Sequence, residues 1–401
     1  MRARRLTTTI GIALPILIVG LVAWVRGSSI STAAARSAAA GAIDTRMSAT
    51  SRADLDRTVK TMTARLAARP TDSTAAIALA DALLRQTRVN GNAGLAMHAE
   101  FALKTVLDHD RDDYDARRML AAVYLSQHRF RDAIGEAERC RAMRASDAWV
   151  YGVLGDAHIE LGDYPEAFDA FDRMTALRPN AAAYARASYA RELQGDLDGA
   201  LRLMQMATDA TSAQDAESLA WHHAQLGHLY LELGSLDAAR REYEHADFVF
   251  PGHPFALDGL ARVEAARGHN TAALELVMKR LDSSPTPADA AFAGDLLAKV
   301  GRPDAAELQY RLAEAAWRVD APEPSKLARF LAGHTRHLDE AVRLAEGAGR
   351  HDIFTDDALA WAYFQTGRVA EARAAIRRAL RTGSRDKDIR AHAAAIEGRR
   401  E

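Results

Sequence analysis

Three scarcities narrow the field before any motif is sought. The 401-residue chain has one cysteine, Cys140, which excludes an intramolecular disulfide and any multi-cysteine zinc site. Aromatic residues make up only 6% of the chain although 48% is hydrophobic, so alanine carries much of the apolar count. Alanine favours helix and is depleted in strands, and the expectation is an all-α protein of closely packed helices. Charge of one sign is lacking too: 52 Lys and Arg against 54 Asp and Glu leave a net charge of -2, and nucleic acid is not an expected partner. The chain also lacks a phosphate-cradling glycine loop, a serine-hydrolase elbow and a paired-carboxylate motif in a plausible setting. It is therefore expected to be no enzyme and to need no cofactor.

Long apolar runs are scarce, with one exception at the amino terminus. In MRARRLTTTIGIALPILIVGLVAWVRG, Arg2, Arg4 and Arg5 precede an apolar stretch from Thr7 to Val25. As a helix that stretch would span about 28 Å, near the thickness of a hydrocarbon core. Small-residue cleavage sites near Ala33 to Ala35 lie well beyond it, so an uncleaved anchor is expected, with a cleaved signal peptide as the alternative. Three arginines before the run and one after it place the amino terminus in the cytoplasm and the rest outside it. The expected organisation is a tip and transmembrane helix at 1–26, a Ser/Ala/Gly-rich tether at 27–50 and a helical region from 51 to 401.

Within that helical region a pattern returns every 31 to 39 residues. Alanines stand at 99, 133, 167, 200, 239, 273, 306, 341 and 372, and glycine stands five places earlier in seven of the nine cases. The best-formed pairs are Gly162 with Ala167, Gly195 with Ala200, Gly234 with Ala239, Gly268 with Ala273, Gly301 with Ala306 and Gly367 with Ala372. Gly94 is the seventh glycine, and His128 and Arg336 are the exceptions. Glycine suits a left-handed helix end, and alanine suits a point where two backbones come close. Gly155 and Gly227 are expected to serve the same close approach. The unit at about 321–352 lacks its glycine and reads as degenerate, and a capping helix is expected at about 386–398.

The stretches Tyr151–Pro179, His223–Pro251 and Leu359–Leu380 carry this pattern most fully, and they resemble the tetratricopeptide repeat family, here a bacterial member with an amino-terminal anchor. The resemblance implies about nine helical hairpins stacked into a superhelix with a concave face that binds a protein or peptide partner. Carried over by position, its groove offsets fall on Trp149, Asp156, Glu160, Tyr189, Glu192, Trp221, His228, Glu232, Phe255, Arg262 and Trp361. Aromatic residues interleaved with acids suit a basic or apolar peptide. The implied function is a membrane-anchored extracytoplasmic scaffold, in the periplasm or outside the cell, that serves envelope protein assembly. One alternative is a metal-dependent enzyme that uses the histidine-rich middle. The other is a self-associating oligomeriser whose face is filled by its own tail or by another copy.

The remaining polar clusters read as structural. DHDRDDYD, from Asp108, has alternating carboxylates but Asp113 and Met119 where a calcium loop needs glycine and glutamate, so it reads as an acidic turn between repeats. His334 and His337 have helical ligand spacing without a third ligand, and His223 falls at a core position. Cys140 reads as a buried thiol, and no metal site is expected.

Overall fold

A computed structural model describes residues 51–398 apart from 93, 284 and 320–323, so the expected anchor and tether lie outside the described residues. Twenty helices and no strand occur among the described residues, and none of these helices is long and apolar enough to cross a membrane. Helix α1 (Arg52–Ala68) precedes nine antiparallel hairpins. The first four pair α2 (Ser73–Asn90) with α3 (Gly94–His109), α4 (Tyr114–Ser126) with α5 (Phe130–Met143), α6 (Ala148–Leu161) with α7 (Tyr164–Leu177), and α8 (Ala181–Leu193) with α9 (Leu197–Asp209). The next three pair α10 (Ala216–Glu232) with α11 (Leu236–Val249), α12 (Pro254–Ala266) with α13 (Asn270–Ser283), and α14 (Pro287–Lys299) with α15 (Pro303–Val319). The last two pair α16 (Pro324–Gly333) with α17 (Leu338–Glu346) and α18 (Ile353–Gln365) with α19 (Val369–Ala379), and α20 (Lys387–Gly398) closes the array.

The repeating letters have the expected physical roles. All nine ladder alanines are buried, none more than 2% exposed. Gly162, Gly195, Gly234, Gly268, Gly301 and Gly367 have φ between 75° and 86°, a conformation that costs glycine nothing. Close approach on the first helices is stricter still. A Cβ on Gly155 would lie 2.3 Å from the Phe171 ring, and one on Gly227 or Gly259 would lie 2.8 or 2.1 Å from the Tyr243 ring. In these units the aromatic ring four residues after the ladder alanine thus occupies the space beside a first-helix glycine.

One turn expectation needs correction, and the exceptional turn at Arg336 is seen to differ from the rest. Gly94 does not end a helix; it opens α3, and Gly91, at φ 72°, caps α2 instead. At Arg336 the left-handed conformation moves to its neighbours, Thr335 at 52° and His337 at 43°, between two helices of only 10 and 9 residues. His128 takes the left-handed turn in its own hairpin. The acidic stretch at 108–115 is an inter-repeat turn, where Asp113 accepts a hydrogen bond from the Ala116 N–H and caps α4.

An open trough was the expectation, and the array instead coils back onto itself at two seams. At the first, Arg85 lies 2.8 Å from Asp215, and Arg88 grips Glu217 through two bonds of 2.9 and 2.6 Å, joining α2 to the start of α10. Arg52 on α1 donates to the Gly252 carbonyl at 2.9 Å. At the second, the Ile353 N–H donates to the Tyr164 hydroxyl at 2.8 Å, and Arg381 reaches the carbonyls of Gly162 and His351. Gly162 faces the His351 carbonyl and Gly195 faces the Gly383 carbonyl so closely that an added Cβ would stand 2.4 Å from either oxygen. These two glycines serve both a turn and a seam; Gly234 and Gly268 serve a turn alone, with open space beside them.

Buried ionisable groups surround the first seam. Burial raises the Glu217 carboxyl, but the Arg88 and Arg85 guanidiniums outweigh it and draw its pKa down to about 2. Burial lowers His222 and His253 to about 4, and neither ring nitrogen of His253 finds a hydrogen-bond partner among the described residues.

Two predictions result. Gly234→Ala and Gly268→Ala should each cost about 1–2 kcal/mol for the left-handed conformation alone. Gly162→Ala and Gly195→Ala should cost clearly more, measured by guanidinium denaturation of matched variants; equal losses at all four would mean that the turns do not touch. Secondly, the unfolded chain protonates its histidines below about 6.5, whereas folded His222 and His253 stay neutral down to about 4, so stability should fall as pH drops through that interval. Glu217 adds a further loss between its model-peptide value of 4.5 and about 2. The thermal midpoint should therefore decline from near pH 6.5 downward, and His253→Phe should flatten the upper part of that decline.

Candidate functional site: a cavity on the inner face

Among the described residues lies a cavity of about 520 Å³ bounded by α10, α11, α12, α14, α15, α16, α18 and the start of α20. That volume is within the range of ligand pockets. Its walls are aromatic. Trp317 on α15 packs against Phe330 on α16 with ring centres 4.8 Å apart, and Arg262 on α12 lies over the Phe292 ring of α14 at 5.0 Å. Trp361 on α18 stacks on His392 of α20 at 4.1 Å, and His392 in turn bonds Asp357 at 2.9 Å.

The charges around these rings are paired within the protein. Arg262 meets Asp258 at 2.9 Å, His334 meets Asp295 at 3.0 Å, and Arg329 meets Asp388 at 2.8 Å. His228 meets Glu192 at 3.1 Å. Burial raises the Glu232 carboxyl above its ordinary value, with His228 and Lys387 opposing the shift. Two polar groups stand apart from this pairing. Gln225 is 3% exposed, lines the cavity, and its amide has no hydrogen-bond partner among the described residues. The Trp317 indole N–H is buried and has no hydrogen-bond partner among the described residues. A side-chain amide with a free donor and acceptor, set among aromatic rings, can hold the edge of a peptide bond.

Of the residues expected on the groove, His228, Glu232, Phe255, Arg262 and Trp361 do line this cavity. Of the others, Glu160 and Tyr189 are covered where the array coils back, and Trp149, Asp156 and Trp221 are covered by adjoining hairpins. Trp149 is buried beneath the Arg118 guanidinium, and Trp221 is 1% exposed within the core. Asp156 is buried in a 2.7 Å ion pair with Arg186, and Glu160 lies buried 3.6 Å from Arg350 at the second seam. Tyr189 belongs to a core cluster with Ile353 and Phe354. Glu192 borders a smaller pocket beside the main one. At Glu160 and Tyr189 the inner surface is thus taken up by the ninth hairpin and the residues just before it. Gln225, Phe292, Trp317, Phe330 and Lys387 were missed: Trp317 is on a second helix, Phe330 is in the degenerate unit, and Lys387 is in the tail.

The other polar clusters resolve locally. His223 bonds Glu242 at 2.8 Å and stacks on His245, while Cys140 is fully buried, its thiol pushed up by burial to about 12. Among the described residues no group of three or more His, Cys, Asp or Glu side chains is placed to hold a metal ion.

Comparison with known proteins bears on the fold. Residues 118–182 and 153–215, and separately 223–247 and 358–382, match the tetratricopeptide repeat. No curated protein sequence matches the chain. Among solved structures, the APC/C hetero-tetramer Cut9-Hcn1 has a chain that aligns with a TM-score of 0.53 at 14% identity, over 86% of this chain. This chain spans 59% of that one's length. Human IFIT1, solved as a dimer with PPP-AAAA, aligns with a TM-score of 0.53 at 17% identity over 83% of this chain and 78% of its own. At such identities the likeness is one of fold. Together with the hairpins, left-handed glycines and buried alanines, these matches establish that the chain carries tetratricopeptide repeats, arranged as an all-α solenoid.

Proposed function

We propose that the chain is a non-catalytic scaffold that takes up a short extended segment of a partner protein in its inner cavity. The observation that carries the reading is Gln225, a residue 3% exposed on the cavity lining whose amide makes no hydrogen bond among the described residues, in a space of about 520 Å³ that also holds Phe255, Phe292, Trp317, Phe330 and Trp361. Buried polar groups are almost always hydrogen-bonded, and a peptide bond supplies the complementary acceptor and donor. Tryptophan and arginine side chains at such a site are the residue types that anchor protein interfaces.

In the same reading the run from Thr7 to Val25 anchors the chain in a membrane, with the repeats outside the cytoplasm, in the periplasm or beyond, and envelope protein assembly as the setting. Its support is the length of the run and the arginines before it. Anchoring would raise the effective concentration of the scaffold near membrane-bound partners.

The test is site-specific photo-crosslinking. A benzoylphenylalanine at Phe292, in the cavity wall, should capture a partner and allow the captured segment to be sequenced. The same probe at Phe248, which is 84% exposed, is the control. Equal capture at both positions, or a Gln225→Leu variant that retains the partner unchanged, would show that the cavity is not the receptor.

A further inference from the structure

The carboxy-terminal tail contributes Asp386, Lys387, Asp388 and His392 to the cavity lining. Helix α20 is fixed by its apolar side, where Ile389, Ala393 and Ile396 are buried. Lys387, at its first position, packs differently. Its side chain is 56% exposed, yet its ammonium donates to the Leu231 carbonyl at 2.7 Å and stands 3.7 Å from the Glu232 carboxylate. Leu231 is in the last turn of α10, where the helix dipole is negative, and its carbonyl accepts the Gly234 N–H at 3.0 Å while a lone pair remains for Lys387. A carbonyl, a carboxylate and a helix end therefore converge on one point, and a cation occupies it.

The spacing along α10 extends this point into a site. Gln225, His228 and Glu232 follow one another at three and four residues and share the cavity-facing side of the helix. The seven-residue step from Gln225 to Glu232 is about 10 Å, which three residues of extended chain cover. Glu192 also faces this side through His228, and Asp386 adds another carboxylate from the tail. Without the Lys387 ammonium, three carboxylates, Glu192, Glu232 and Asp386, face one histidine and Arg385 there.

Resting on the reading of the cavity as a peptide receptor, we propose that Lys387 is an internal stand-in for a lysine or arginine of the partner. The partner's cation displaces Lys387 from Leu231 and Glu232, while the Gln225 amide holds the backbone of the same segment. Largely exposed ion pairs contribute little, so the arm can swing aside without unseating α20.

The test uses the full-length chain, its Lys387→Met and Glu232→Gln variants, and two probes, dansyl-Phe-Gly-Lys-amide and its norleucine counterpart. Lys387→Met should bind the lysine probe about three- to tenfold tighter than wild type, the scale of one exposed ion pair, with the norleucine probe unaffected. Glu232→Gln should erase the preference for lysine. A lysine preference of the same affinity in wild type and Lys387→Met would overturn the displacement. Both probes binding all forms alike would overturn the cation subsite and leave the cavity as a receptor. Binding of neither probe would overturn both readings together.

Discussion

Everything in this molecule depends on how closely neighbouring helices can approach. The nine ladder alanines and the glycines at 155, 227 and 259 remove side chains where backbones or rings must meet. The rings of Phe171 and Tyr243 fill the space left beside those glycines. Such packing is dense and directional, and a single added carbon there overlaps a neighbour that has nowhere to move. Few large aromatics are needed because small residues provide the contact area.

Close packing within each hairpin sets the coil of the whole array. A looser stack would present a broad concave wall. Here hairpins one and five meet at the Arg88–Glu217 pair, and hairpins three and nine meet where Tyr164 receives the Ile353 N–H. Burying the first pair carries a desolvation cost, which the bidentate geometry and the second arginine offset. At Glu160 and Tyr189 the inner surface is spent on the protein itself, and the cavity is lined in part by the chain's own tail.

Much of this was legible in the letters, and the division is physical. Repeats are set by short-range packing, so Gly162 and Ala167 or Gly234 and Ala239 announce a hairpin wherever they occur. The same local logic located the start of α20 to within a residue. The site is a product of long-range geometry. Nothing near Glu160 in sequence signals Arg350, and nothing near Asp215 signals Arg85. Trp149, Tyr189 and Trp221 were assigned to an open wall because offsets were counted on a single hairpin, whereas their burial is decided by segments many hairpins away or by the adjoining first helices. The cavity half-emerged, through His228, Phe255 and Trp361, because those offsets remain uncovered. Gln225 carries no periodic signal at all.

The two seams also bear on how such a chain can change over generations. Solenoids ordinarily lengthen or shorten by whole units, since each unit touches only the next. In this one, inserting a hairpin between α2 and α10 would carry Glu217 past Arg88, and inserting one between α7 and α18 would strand Tyr164 opposite the wrong backbone. Copy number in both intervals is therefore locked by distant partners, and drift must proceed inside units, as in the shortened pair α16 and α17.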